Sequence, residues 1–248
     1  MTDIDWTGRE PDTGSAPTRD FRLRHAGGEV PGALWLPASG AAKALILVGH
    51  GGSRHKRAPT TLNFIGEAVE RWGFAVAAID GPVHGARRGD RSPDPKDTQM
   101  DFRNLWATPG NGIAGMNADW QATLTALQGE PALADLPVGW FGLSMGTAYG
   151  LPFVAAEPRI GAAVLGMWGS NYPHSEPLVA AAGTIACPVF WMHKTEDALF
   201  TLDGALDLYN ALPGEDKRIL MSPGPHAEAT AEQIGMALTF FTRRLAGG

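Results

Sequence analysis

The sequence predicts an α/β fold, a mostly parallel sheet with helices on both faces. Three observations carry this. Short, almost wholly apolar runs recur at 44–48, 74–79, 138–143, 162–165 and 189–193, and a strand covered on both faces reads this way. Stretches with apolar residues at helical spacing lie between them, as in Leu62, Ile65, Val69 and Trp72. Each run stops in a turn rich in Gly, His, Ser or Asp, and the strand C-termini of an open parallel sheet share one edge, where such folds place their sites.

Taken in order, residues 1–18 are polar, with Gly14, Ser15 and Pro17, and are expected to form a flexible N-terminal arm to a domain spanning 19–248. Residues 21–24 and 33–36 flank Gly27-Gly28 and predict an antiparallel hairpin. A helix from Pro59 to Gly73 separates the strands at 44–48 and 74–79. Helices are expected at 118–127, 145–156, 202–212 and about 227–245, and a further strand at 218–221. Residues 85–117 do not fit the alternation. They carry Arg87, Arg88, Asp90, Arg91, Asp94, Lys96 and Asp97, then Phe102, Leu105 and Trp106. A segment this long is more than a connection, and it is expected to form a small cap insertion.

Composition bounds the function. With 248 residues, 44% hydrophobic and 19% charged, the chain suits one large globular domain. A net charge of −6 gives no electrostatic reason to expect nucleic acid as a partner. The single cysteine, Cys187, excludes an intramolecular disulfide and a CxxC metal pair. The acidic first residues lack the apolar stretch of a secretory signal. No run approaches the roughly 18 apolar residues of a membrane span, so a cytoplasmic location without membrane attachment is expected.

The chemistry gathers around Gly142-Leu143-Ser144-Met145-Gly146, where an apolar run meets a run of small residues. A strand, a sharp turn at Ser and a buried helix form a nucleophile elbow, which lifts the Ser144 hydroxyl above the sheet edge. The turn leaves the Met145 N–H free at a helix N-terminus, where negative charge is favoured. A serine nucleophile needs a base, and the base needs an acid that fixes its tautomer. His226 follows the last strand and Asp197 follows the 189–193 strand. Glu196 and Asp203 are the neighbouring alternatives for the acid. The order Ser144, Asp197, His226 is that of a triad on this fold.

With His50-Gly51-Gly52 after the first central strand and Asp80-Gly81-Pro82-Val83-His84-Gly85 after the next, these motifs resemble the α/β-hydrolase superfamily. They are most similar to the dienelactone-hydrolase-like esterases, with Ser in place of Cys at the elbow. The resemblance spans about residues 21–246. It implies an oxyanion hole from the N–H groups of Gly52 and Met145, with Gly51 and Ser53 as alternative donors or substrate contacts. It also implies hydrolysis of a small-molecule carboxylic ester through an acyl-enzyme, with no cofactor. Thioesterase, peptidase or acyltransferase chemistry would use the same residues, and a binding protein on the same scaffold is the reading from another class. His50 is expected to brace the oxyanion loop, His84 to pack at the cap entrance, and His193 to sit behind the site. No carboxylate–histidine cluster with metal spacing accompanies them, so no metal is expected. Trp106, Trp168 and Tyr172 are expected to line the substrate pocket, with Phe102 and Leu143 as further wall candidates. The Arg54-His55-Lys56-Arg57 run is a local excess of positive charge beside the oxyanion loop. The sequence leaves the oligomeric state open.

Overall fold

The apolar runs are the parallel strands of one sheet. The computed structural model describes residues 3–9, 12, 14, 16–89 and 91–247. Its strands are β1 (Asp3–Arg9), β2 (Thr18–His25), β3 (Gly28–Trp35), β4 (Leu45–Gly49), β5 (Ala75–Ile79), β6 (Val138–Gly142), β7 (Ile160–Gly166), β8 (Val189–Lys194) and β9 (Lys217–Ser222). The spatial order is β1-β2-β3-β5-β4-β6-β7-β8-β9. The first three strands pair antiparallel and join β5 antiparallel; from β5 to β9 every pairing is parallel.

The helices are α1 (Pro59–Gly66, continued by a π-helical turn), α2 (Pro95–Trp106), α3 (Ile113–Gln128), α4 (Met145–Ala156), α5 (Glu176–Ala182), α6 (Leu202–Ala211) and α7 (Ala231–Phe241). Alternation along each strand divides the core. Leu45 and Leu47 of β4 face one layer, Ile46 and Val48 the other. The first layer is built from α2 to α6, with Trp106, Trp120, Leu151, Leu178 and Leu208. The second is built from α1 and α7, with Phe64, Ile65, Ile234, Leu238 and Phe241. The chain steps from β4 to β5 on one side, then returns to β6 on the other, so the sheet has its switch point at the C-terminal ends of β4 and β6.

Three expectations change. The N-terminal segment is not a loose arm: Asp3–Arg9 pairs with β2 along its length, and Ile4 and Trp6 lie against the core. Ala16 and Thr18 are buried, and Pro17 accepts a hydrogen bond from the Leu36 N–H. The cap is smaller than 85–117, because α3 begins at Ile113 and belongs to the first layer. What remains is a 3-10 turn, Gly85–Arg88, and α2. Asp94 caps α2 by accepting from the Lys96 N–H, with Pro95 in the first turn. Buried Arg88 ties the turn to α2 through Asp101 at 2.9 Å. Finally, α7 starts at Ala231 rather than 227, because Thr230 and Gln233 form a capping box. That leaves 227–230 as loop beside His226.

Candidate active site

Ser144 stands between β6 and α4 with φ 57° and ψ −121°, a region that costs a non-glycine residue on the order of 1–3 kcal/mol and persists only when its surroundings enforce it. The enforcement is visible. A Cβ on Gly146 would lie 2.3 Å from the Gly49 carbonyl oxygen, so α4 can start this close to β4 only with glycine there. Thr147 adds a clamp that the sequence did not reveal. Its hydroxyl accepts from the Gly166 N–H and lies within bonding distance of the Gly142 and Gly166 carbonyls. The Ser144 N–H donates to Gly166 as well. The Ser144 backbone is thus tied to both β6 and β7.

A cavity of about 320 Å³ opens above Ser144 and straddles the sheet edge. Phe102, Trp168, Tyr172 and Phe200 wall it on the first-layer side, and Thr61, Phe64, Phe141 and Ile234 on the second. Gly51, Gly52, Ser53, Leu143 and His226 line it too. Trp106 does not. It is buried behind Phe102 and Trp168, with ring centroids 6.0 and 5.1 Å away, and its Nε1–H donates to the Pro173 carbonyl. At α2 the cavity meets Gln99, Phe102 and Arg103, while Trp106, one turn further, points into the core. Phe200, which no motif singled out, stacks on Trp168 at 4.4 Å and meets the His226 ring edge-on at 5.3 Å.

His226 reaches the cavity half-buried, its Nδ1 2.6 Å from Asp197 Oδ2. The other carboxylate oxygen of Asp197 accepts from the N–H groups of Leu199 and Phe200. Burial alone would raise the Asp197 carboxyl; the hydrogen bonds from His226 and from the two amides outweigh it and hold it below the usual carboxylate range. An ionised Asp197 requires a donor facing it, so His226 carries its proton on Nδ1 and keeps Nε2 free as an acceptor. Glu196 and Asp203 make no such contact; Asp197 alone among the three carboxylates is hydrogen-bonded to His226.

The loop of His50, Gly51, Gly52 and Ser53, expected to supply the oxyanion hole, lines the same cavity. A Cβ on Gly52 would sit 3.7 Å from that of Met145 and 3.0 Å from Phe102 Cδ1, which places Gly52 against the first residue of α4. His50 Nε2 accepts from the Gly81 N–H, so Nδ1 carries the proton and donates to the Gly51 carbonyl at 2.9 Å. His84 Nε2 lies 3.0 Å from the Gly52 carbonyl; its ring contacts the loop and also packs against Phe102 of α2, with centroids 6.1 Å apart. Burial, and then the neighbouring His84, lower His50 to about 3, and burial lowers His84 to about 4. His193 is buried at the end of β8, outside the cavity lining.

The basic run is largely committed to internal partners. Arg54 pairs with Glu228 at 2.9 Å, Lys56 with fully buried Asp80 at 2.5 Å, and Arg57 with Asp12 and Asp20 at 2.7 and 2.5 Å. Burial would raise the Asp80 carboxyl, but the Lys56 charge and hydrogen bonds bring it below the ordinary range.

The sheet order and the elbow define an α/β-hydrolase. No family profile matches the sequence, and no curated protein matches it either. Solved structures do. A cold-adapted esterase from an Arctic intertidal metagenomic library is 33% identical over 97% of this chain and 99% of its own, with a TM-score of 0.85. A dienelactone hydrolase from Anabaena variabilis is 18% identical over 94% of this chain and 100% of its own, TM-score 0.68. A Pyrococcus furiosus esterase is 15% identical over 93% and 94%, TM-score 0.74. The latter two share the fold. The first shows the family: the chain belongs to the α/β-hydrolase esterases.

Proposed function

We propose that the protein hydrolyses small-molecule carboxylic esters through an acyl-enzyme on Ser144. The observation that carries this is the His226–Asp197 pair, which presents a free Nε2 to the cavity that Ser144 enters from a strained elbow. His226 Nε2 takes the hydroxyl proton as Ser144 Oγ attacks the ester carbonyl. The carbonyl π bond opens to an alkoxide, held by the N–H groups of Gly52 and Met145. Each such donor supplies about 3–4 kcal/mol where comparable holes have been tested. The imidazolium, stabilised by Asp197, then protonates the departing alcohol as the C–O bond breaks. Water repeats the sequence on the acyl-enzyme, with the proton passing through His226 to Ser144, and frees the acid. Gly51, Ser53, Trp168 and Tyr172 form the substrate wall in this scheme, and no metal or cofactor takes part in it.

Ser144→Ala should abolish turnover of p-nitrophenyl butyrate while leaving the melting temperature close to that of the unaltered protein. A fluorophosphonate probe should label the unaltered protein once, at Ser144. Retained turnover in the variant, or labelling elsewhere, refutes the scheme.

A further inference from the structure

We propose that His84 is a positioning residue for the oxyanion hole: it fixes the peptide plane between Gly52 and Ser53 and, together with His50, aims the loop's N–H groups at the reacting carbonyl. This rests on the acyl-enzyme reading above.

In a trans peptide the C=O and the following N–H point in opposite directions, and no described peptide bond is cis. Tying the Gly51 carbonyl to His50 therefore turns the Gly52 N–H away from His50. Tying the Gly52 carbonyl to His84 turns the Ser53 N–H away from His84. Two successive N–H groups, that of Gly52 in the scheme above and that of Ser53 as its alternative donor, are oriented by two imidazoles that meet edge-on at 4.9 Å. A loop with glycines at 51 and 52 has little orientation of its own, and electrostatic stabilisation of an oxyanion depends on donors that need not reorganise.

His84 is itself held. It follows β5 on the turn whose Ala86 N–H donates to Asp80 Oδ2. The same carboxylate receives the Lys56 N–H and the Lys56 ammonium, just past the oxyanion loop. Asp80 thus clamps both the segment that carries His84 and the segment it positions. Its bond to a carbonyl requires His84 to be protonated at Nε2, and its buried Nδ1 has no hydrogen-bond partner among the described residues. A neutral ring satisfies this, in keeping with the lowering of its pKa by burial.

The test compares His84→Gln with His84→Asn. Both amides are polar and neutral. Gln places its NH₂ near the position of the imidazole Nε2, whereas Asn is one methylene shorter and falls short of the Gly52 carbonyl. With p-nitrophenyl butyrate, Gln should lower kcat by threefold or less. Asn should lower it tenfold or more, with KM changed less than twofold and no displacement of the pH–rate profile. The rate of fluorophosphonate labelling at Ser144 should fall in parallel with kcat. Equal losses in the two variants, or a loss confined to KM, overturn the proposal. Absence of labelling in the unaltered enzyme would instead overturn the acyl-enzyme reading. A measurement independent of variants is the ¹⁵N signature of His84: the neutral Nε2–H tautomer from pH 6 to 9 is expected, and the Nδ1–H tautomer refutes the proposal.

Discussion

At the scale of single residues, short polar contacts to backbone determine where the reacting atoms stand. Thr147 is the clearest case. Its one hydroxyl serves the Gly142 carbonyl and both backbone groups of Gly166, where β6, β7 and α4 meet. Thr147→Val keeps the shape and strands buried polar groups, so it should cost about 2–3 kcal/mol in urea unfolding and depress kcat. Thr147→Ser should restore most of both. In the proposed scheme Asp197 orients the base. Asp197→Asn can donate to His226 Nδ1 and so favours the tautomer with its proton on Nε2, which cannot accept from Ser144. A fall in kcat of roughly 10³–10⁴ with a nearly constant KM is expected, by analogy with the serine-protease triad. A loss under tenfold would show that another carboxylate serves. The sequence marked the roles that are written in chain order. Ser144, Asp197 and His226 follow β6, β8 and β9, and a set of motifs can hold that order. Thr147, Asp80 and His84 act on main-chain atoms that only the folded sheet brings near, and no side-chain pattern encodes such partners. Trp106 shows the converse. Its size and its position in the cap suggested a cavity wall, but the helical phase of α2 gives the cavity Gln99, Phe102 and Arg103 instead.

At the scale of elements, the strands were the easiest to read. β4 and β5 are wholly apolar and buried along nearly their full length, which a covered parallel strand requires. β1 was missed because its signal is only Ile4 and Trp6, two alternate residues in an otherwise polar stretch. α2 was missed as a helix because its charged flank masks a good start: Asp94 and Pro95, then Thr98, Phe102 and Trp106 at four-residue spacing, all three buried. Glycine substitutions test how the elements fit. Gly146→Ala would press a methyl group into the Gly49 carbonyl; it should push α4 off β4, cost about 1–3 kcal/mol and abolish activity. Gly115, exposed within α3, has nothing within 4 Å of an added Cβ. Gly115→Ala should therefore stabilise the protein by about 0.5–1 kcal/mol, since alanine loses less backbone freedom in a helix. Denaturant unfolding of the two variants should move in opposite directions.

At the scale of the whole molecule, two imidazoles are buried as neutral rings. Burial, with the neighbouring His84 acting on His50, lowers His50 to about 3 and His84 to about 4, against 6.5 for a free side chain. Between those values the unfolded chain binds protons that the folded chain refuses, so stability is complete above pH 6.5 and declines as pH falls. Each ring contributes a slope approaching about 1.4 kcal/mol per pH unit. Asp80 and Asp197, whose carboxyls lie below the ordinary range, add a further loss only in stronger acid, once pH falls through their folded values. Unfolding free energy measured from pH 7 to pH 4.5 should fall steeply. In His84→Gln the slope should lessen by about one proton's worth; an unchanged slope would mean that His84 is not buried neutral.

The three cations that follow Ser53 reach in three directions, and the differing depths of their bridges make ionic strength a selective tool. Asp80 is fully buried and Lys56 nearly so, whereas the side chains of Arg54 and Glu228 are 33% and 53% exposed. Near 1 M salt the screening length shrinks to about 3 Å, which dissolves the outer bridge and leaves the inner one intact. The contact between the 50–57 loop and the His226 loop can then loosen while the Lys56–Asp80 clamp holds. Added salt should therefore change KM for bulky esters, leave kcat for small ones alone, and barely move the melting temperature.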